Sequence, residues 1–259
     1  MRRRSRWIIV FTMIFLVFLL SGCNMNAAPD PRNGFWDAFF VYPITLLIEW
    51  FHSYLWGSYG LAILAVTILI RLLLLPLAVK QTKSMAEAQK LQPEIMKIRE
   101  KYKKEPQKMN EAVMKLYQEH DVNPMAGCLP TLVQLPILFG LYHAVLRDPN
   151  IKAGQFLWLS LGSPDHLFIL PILAGLSQFF SLYVTYKVNP MYKSGAMPQA
   201  ASQMKMMMVI MPFFIVFIAW NLPSALPLYW VYTNLMTALQ AVLLRNYYHI
   251  PKVEEASSK

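Results

Sequence analysis

The sequence predicts an all-α membrane protein with five transmembrane helices, an outer interfacial helix and a cytoplasmic antiparallel helical hairpin. Three observations lead there. The 259-residue chain is 56% hydrophobic and 15% charged, with 16 Met, 15 Phe, 13 Tyr and 7 Trp, far more apolar than a soluble domain. Apolar runs close to the length needed to cross a bilayer recur along it. Its basic residues gather in two of the segments between those runs, the bias that marks the cytoplasmic side.

The N-terminus reads as a secretion signal, residues 1–22: Arg2, Arg3, Arg4 and Arg6, then the apolar run Trp7 to Leu20, then Leu20-Ser21-Gly22-Cys23. That tetrapeptide resembles a bacterial lipobox. Cleavage before Cys23 would leave it as the mature N-terminus, carrying a palmitate-type lipid on the outer face of the membrane; the alternative is an uncleaved first helix. Without those four arginines, 20 basic residues face 14 acidic ones, so most of the net charge of +10 belongs to the signal and to loop topology. No sequence-specific contact with nucleic acid is expected from it. Cys128 is then the other thiol, and with no CxxC there is no basis for a redox or zinc site.

Residues 23–57 form an outer linker and an interfacial segment. Phe35 to Trp56 carries Asp37, Glu49, His52 and Pro43 among many aromatic residues, which suits the headgroup layer better than a crossing. The five expected spans occupy 58–79, 128–146, 167–186, 206–222 and 225–244. Starting outside, they place the hairpin 80–127 inside, 147–166 outside, 187–205 inside and the tail 245–259 inside. Ten basic residues between Lys80 and Lys115, with Lys187, Lys193 and Lys205, then fall inside, while the outer loop has Arg147 and Lys152.

In the first inner segment, Leu91, Ile95, Ile98 and Tyr102 keep a four-three-four spacing, and Met109, Val113 and Leu116 repeat it after the break at Lys104-Glu105-Pro106. Two antiparallel helices would bury these stripes against each other. Pro93 either kinks the first arm or marks its true start. The hairpin reads as a well-behaved solvated loop or as a docking arm for a cytoplasmic partner or an incoming chain. Lys97, Arg99, Lys101, Lys103 and Lys104 are its candidate docking residues.

Arg71 is the anomaly of the first span. An arginine at the centre of a membrane helix costs about 3 kcal/mol on insertion scales. At about 1.5 Å per residue it lies roughly 13 Å from Lys80, a long way for its side chain to snorkel to bulk water, so a wet cavity inside the protein is the better account. Polar residues on other spans supply candidate walls: Gln134 in span two, Ser177, Gln178 and Ser181 in span three, and Trp230, Thr233, Asn234, Thr237 and Gln240 along one face of span five. Taken singly, each would serve as a hydrogen bond between helices.

The chain shows no HExxH, GxSxG or GxxxxGK[ST] motif and no acidic pair within the spans, so no enzyme chemistry, metal or cofactor is expected. A binding role remains for Arg71. A small transporter or channel with Arg71 as its anion site, or a lipid-anchored scaffold working through the hairpin, are the competing readings.

The order of parts resembles the YidC/Oxa/Alb family of membrane protein insertases, in the short five-span form of Gram-positive bacteria. The likeness runs from about Gly34 to Arg245. It is carried by Ile70-Arg71-Leu72 ahead of Leu75-Pro76-Leu77, by Asn123-Pro124-Met125-Ala126-Gly127-Cys128-Leu129-Pro130 leading into Gln134-Leu135-Pro136, and by Leu226-Pro227-Leu228-Tyr229-Trp230. It implies a groove within the membrane, open to cytoplasm and lipid, with Arg71 on its wall and Gln134, Gln178, Trp230, Asn234 and Gln240 as further wall candidates. It also implies nascent membrane proteins as clients in the bacterial cell membrane, with the secretion channel, the signal recognition machinery or the ribosome as partners of the hairpin. The chain ends soon after span five without the long basic tail of some members, which puts docking of a ribosome by the tail in doubt.

Overall fold

The computed structural model describes residues 27–120, 122, 129–189 and 198–245. The expected signal peptide, the lipobox with Cys23, the run Asn123 to Cys128 and most of the tail lie outside the described residues. The elements are α1 (Tyr42–Tyr54), α2 (Tyr59–Leu73), α3 (Leu75–Lys90), α4 (Gln92–Lys101), α5 (Pro106–Glu119), α6 (Leu129–Arg147), α7 (Pro149–Ala153), a two-stranded ribbon β1 (Gln155–Phe156) and β2 (Leu159–Ser160), α8 (Ile169–Val188), α9 (Pro198–Ala219) and α10 (Ala225–Leu243). The chain divides into two compact units. One takes in residues up to Val66, Leu135–Pro164 and Pro223–Leu226, and the other takes the remainder.

The first unit is built on a buried ion pair. A π-helical turn, Asp37–Val41, precedes α1 and turns Asp37 inward, so that Pro43 falls in the first turn of α1, where its missing N–H is not needed. Arg147, the last residue of α6, grips Asp37 with both ends of its guanidinium, Nη1 to Oδ1 at 2.7 Å and Nη2 to Oδ2 at 2.5 Å, with both side chains 1% exposed. Arg147 also donates through Nε to the Ala27 carbonyl at 2.7 Å, and Asn33 donates to Asp37 at 3.2 Å. The fork geometry and the extra donors meet the condition under which a buried pair is tolerated. Around it Val41, Ile44, Ile48, Leu141, Ala144 and Val145 are buried. Gly140 permits this contact, since a Cβ there would lie 2.7 Å from Ile44 Cδ1. On the other side of α1, Leu46, Trp50 and Tyr54 are exposed at intervals of four residues.

In the second unit, α2 from Thr67 onward and α3 form one broken rod. They are bent by 53° at Leu74, where Pro76 has no N–H to offer the Leu72 carbonyl. The helix expected to end near Val79 therefore bends and continues to Lys90. Beyond it Pro93 stands in the first turn of α4 rather than kinking it. α4 and α5 pack through Leu91, Ile95, Leu116 and Val122, with Ile98 and Val113 alongside. α8 and α9 pack on each other at Gly175, where a Cβ would lie 2.5 Å from Val216 Cγ2 and 3.0 Å from the Pro212 carbonyl oxygen. Small residues let membrane helices approach in this way. Asp165 steadies the start of α8, accepting from the Leu170 amide at 2.7 Å and the Leu167 amide at 3.0 Å.

Among the described residues, Ile169–Val188 and Ser202–Ala219 are long and apolar enough to cross a membrane, and the bent pair α2 and α3 is a third if taken as one span. Leu132–Arg147 is a shorter apolar helix. α10 is long enough, but Tyr229, Trp230, Tyr232, Thr233, Asn234, Thr237 and Gln240 dilute its hydropathy.

Two outcomes test this packing. Arg147→Ala strands a buried carboxylate and should cost about 3–5 kcal/mol, read as a lowered melting temperature in detergent, whereas Asp37→Leu with Arg147→Met should cost far less. Burial by itself would raise the Asp37 carboxyl, but bonds from Arg147, Asn33 and the Asp30 amide outweigh it and hold the group below its ordinary 3.8. Because the unfolded chain then takes up the proton first, the contribution of the pair is complete above the ordinary value and is lost as pH falls through the lowered one. The wild type should therefore lose more melting temperature below about pH 4 than the double variant. Gly175→Ala should separate α8 from α9 and cost about 1–3 kcal/mol in the same assay.

Candidate functional site

Within the second unit lies a cavity of about 430 Å³, walled by α2 and α3, α6, α8 and α10. Helical spacing sets each wall. From the bent rod come Arg71, Leu74, Ala78 and Gln81, three and four residues apart, with Leu77 beside them. α6 adds Val133 and Gln134, α8 adds Gln178, Ser181, Leu182 and Thr185, and α10 adds Thr233, Asn234, Thr237 and Gln240. Every polar lining residue is an amide or a hydroxyl except Arg71, and no Asp or Glu is among them.

Hydrogen bonds tie the walls together. Asn234 Nδ2 on α10 donates to Ser177 Oγ on α8 at 3.0 Å, and Ser177 passes its own proton to the Ala174 carbonyl at 2.8 Å. Gln134 on α6 donates to the Tyr229 hydroxyl on α10. Thr185 and Thr237 return their hydroxyl protons to Ser181 and Thr233 carbonyls of their own helices, at 2.9 and 2.8 Å, and so offer the cavity lone pairs. Some donors remain uncommitted, among them the buried Thr233 hydroxyl, which has no partner among the described residues. Gln81 is 8% exposed and its amide nitrogen has no partner among the described residues. Arg71 is half-buried and makes no ion pair or hydrogen bond with a described residue. A donor-rich, acid-free cavity with a free guanidinium is suited to holding carboxylates, carbonyls and water.

Of the six residues expected on a groove wall, Arg71, Gln134, Gln178, Asn234 and Gln240 line this cavity and Trp230 does not. Trp230 is four residues before Asn234 and so on the same helical face, yet it is not among the residues lining the cavity. The residues the sequence reading passed over are Gln81, Thr185 and Tyr229. Gln81 and Thr185 continue the spacing of Ala78 and of Gln178 with Ser181, a signal that was present in the sequence; the bond from Gln134 to Tyr229 had none. Lys97, Arg99, Lys101, Lys103 and Lys104 are all exposed, on α4 and the turn after it. Cys23 lies outside the described residues. Among the described residues no cluster of His, Cys, Asp or Glu is arranged to hold a metal ion.

Comparison with known proteins follows the same lines. The family model described as 60Kd inner membrane protein matches residues 50–252. Membrane protein insertase YidC 2 of Listeria innocua serovar 6a is 41% identical over 261 aligned residues, covering 98% of this chain and 88% of that protein. Membrane protein insertase MisCA of Bacillus subtilis strain 168 is 42% identical over 243 residues, with 92% of this chain and 90% of that protein covered. Among solved structures, the crystal structure of an active YidC insertase with its first transmembrane domain resolved superposes with a TM-score of 0.58 at 32% identity. That likeness covers 84% of this chain and 47% of the other, so the chain spans about half the length of that protein. Matched by that family model over most of its length and 41–42% identical to these insertases, the chain belongs to the YidC family of membrane protein insertases.

Proposed function

We propose that the chain inserts client proteins into the bacterial cell membrane by lending them the cavity around Arg71 as a half-way solvent. A client segment that must cross carries a short hydrophilic tail, and stripping that tail of water is the main barrier. The observation that carries this reading is a guanidinium with no acidic partner among the described residues, set among amides and hydroxyls. A carboxylate in the tail is drawn to Arg71, where partial desolvation strengthens the pair relative to water. The amides of Gln134, Gln178, Asn234 and Gln240 replace hydration along the way. The client's apolar segment meanwhile slides along the exposed apolar residues of α8 and α9, such as Leu173, Leu176, Phe213 and Phe217, gaining about 25 cal/mol for each Å² removed from water. No covalent bond is made or broken, no nucleotide is consumed, and the chain is not an enzyme.

The topology belonging to this reading has five crossings, with α6 and α10 added to the three apolar candidates, the N-terminus outside and held by lipid at Cys23, and the C-terminus inside. Loop charge supports it, since the basic residues concentrate between Lys80 and Lys115. The α4 and α5 pair then faces the cytoplasm. Its exposed Lys97, Arg99, Lys101, Lys103 and Lys104 meet the secretion channel, the signal recognition machinery or the ribosome as clients arrive.

The test is insertion of a single-span client with an acidic N-terminal tail into proteoliposomes of the purified protein. Arg71→Ala removes a charge-assisted bond of about 1.5–3 kcal/mol and should reduce insertion roughly 10- to 100-fold, with a neutral-tailed client affected less. Arg71→Lys should keep most of the activity, because the role needs positive charge more than fork geometry. Full insertion by Arg71→Ala or Arg71→Glu would remove the arginine from the mechanism.

A further inference from the structure

Three described residues other than glycine have left-handed backbones: Trp56 at φ 53°, Leu157 at φ 56° and Phe168 at φ 58°. That region of backbone space normally goes to glycine or asparagine. Trp56 and Leu157 belong to the first unit, and both turn outward, 88% and 74% exposed. Leu157 and Trp158 are the two-residue turn of the ribbon, since Phe156 pairs with Leu159. A turn of that length commonly carries Asn-Gly, so a leucine at its tip is a local conflict that packing within the unit does not relieve.

The ribbon is seated at the start of α2. A Cβ on Gly60 would lie 2.1 Å from the Phe156 ring, and one on Gly154 would lie 2.6 Å from the Tyr59 ring. Trp56 comes three residues before Tyr59, so the apolar tip and Trp56 flank the same end of one helix. No charged residue occurs between Lys152 and Asp165. In water an exposed leucine beside a tryptophan on a strained turn gains nothing to offset the strain. In the headgroup layer both bury hydrocarbon, and an indole N–H finds polar partners there.

We infer that the Leu157-Trp158 turn, with Trp56, is an anchor that inserts into lipid at the membrane interface beside the start of α2. Its occupant is the boundary between headgroups and acyl chains. Leu46, Trp50 and Tyr54 on α1, in the same unit, are exposed apolar residues of the kind that meets the same layer. The anchor sets the height at which α2 enters the bilayer. That the interface is the outer one rests on the topology proposed above; the immersion does not.

The experiment uses the full chain carrying Cys23→Ser and Cys128→Ser, with one nitroxide label at a time on Leu157→Cys, Phe213→Cys or Lys103→Cys, in phosphatidylcholine and phosphatidylglycerol liposomes. Collision of each label with oxygen and with a water-soluble nickel chelate reports its depth. The oxygen-to-nickel ratio at position 157 should be several-fold above that at 103 and below that at 213. A water-like ratio at 157 beside a lipid-like ratio at 213 overturns the anchor alone. Suppression of both collisions at 157 also overturns it, because it shows a protein covering the tip. A water-like ratio at 213 overturns the membrane reading itself, and the anchor with it.

Discussion

A charge does not enter hydrocarbon unaccompanied, and two arginines of this chain meet that constraint in opposite ways. Arg147 is buried and paired, with both carboxylate oxygens of Asp37 on its fork and the backbone carbonyls of Ala27 and Ala28 accepting from Nε and Nη2. Its charge is spent on structure: it joins the end of α6 to the turn before α1. Arg71 has no such partner among the described residues and is surrounded by amides and hydroxyls. Its charge is available, and a carboxylate arriving from elsewhere would find it the strongest ligand in the cavity.

The cavity makes demands on the helices around it. Each wall must carry polar side chains on one face while the opposite face stays apolar, and this shows in the composition of α10, whose polar residues pull it below the apolarity of α8 and α9. Polar walls keep a cavity between them only if they are held, and the bonds from Asn234 to Ser177 and from Gln134 to Tyr229 hold three of them. The bend at Leu74 completes the arrangement. It keeps Arg71 and Gln81 on one continuous lining surface although ten residues of a broken helix separate them.

Much of this was legible because it depends on near neighbours. The three-and-four spacing of Thr233, Asn234, Thr237 and Gln240 places them on one face of any helix, and all four line the cavity. The stripe of Leu91, Ile95 and Ile98 against Val113 and Leu116 follows from the same periodicity, with the break at Glu105-Pro106 marking the return. Trp230 shares the face of Asn234 but does not line the cavity, and periodicity does not say where along a face a cavity ends. Gln81 falls in the expected hairpin 80–127, past the end of a straight span; the proline bend brings it back to the wall.

Local pattern alone was enough for the apolar runs, the charge bias between them and the presence of an arginine inside one of them, since these are properties of consecutive residues and of hydrophobic transfer. Tertiary packing was needed for the partner of each charge. Asp37 and Arg147 are 110 positions apart, and nothing in either neighbourhood announces the other. Arg147 reads from sequence as an outer-loop cation and Arg71 as a misplaced one. Which of them is neutralised and which is left free depends on which carboxylate the folded backbone brings within hydrogen-bonding distance, and no local rule contains that.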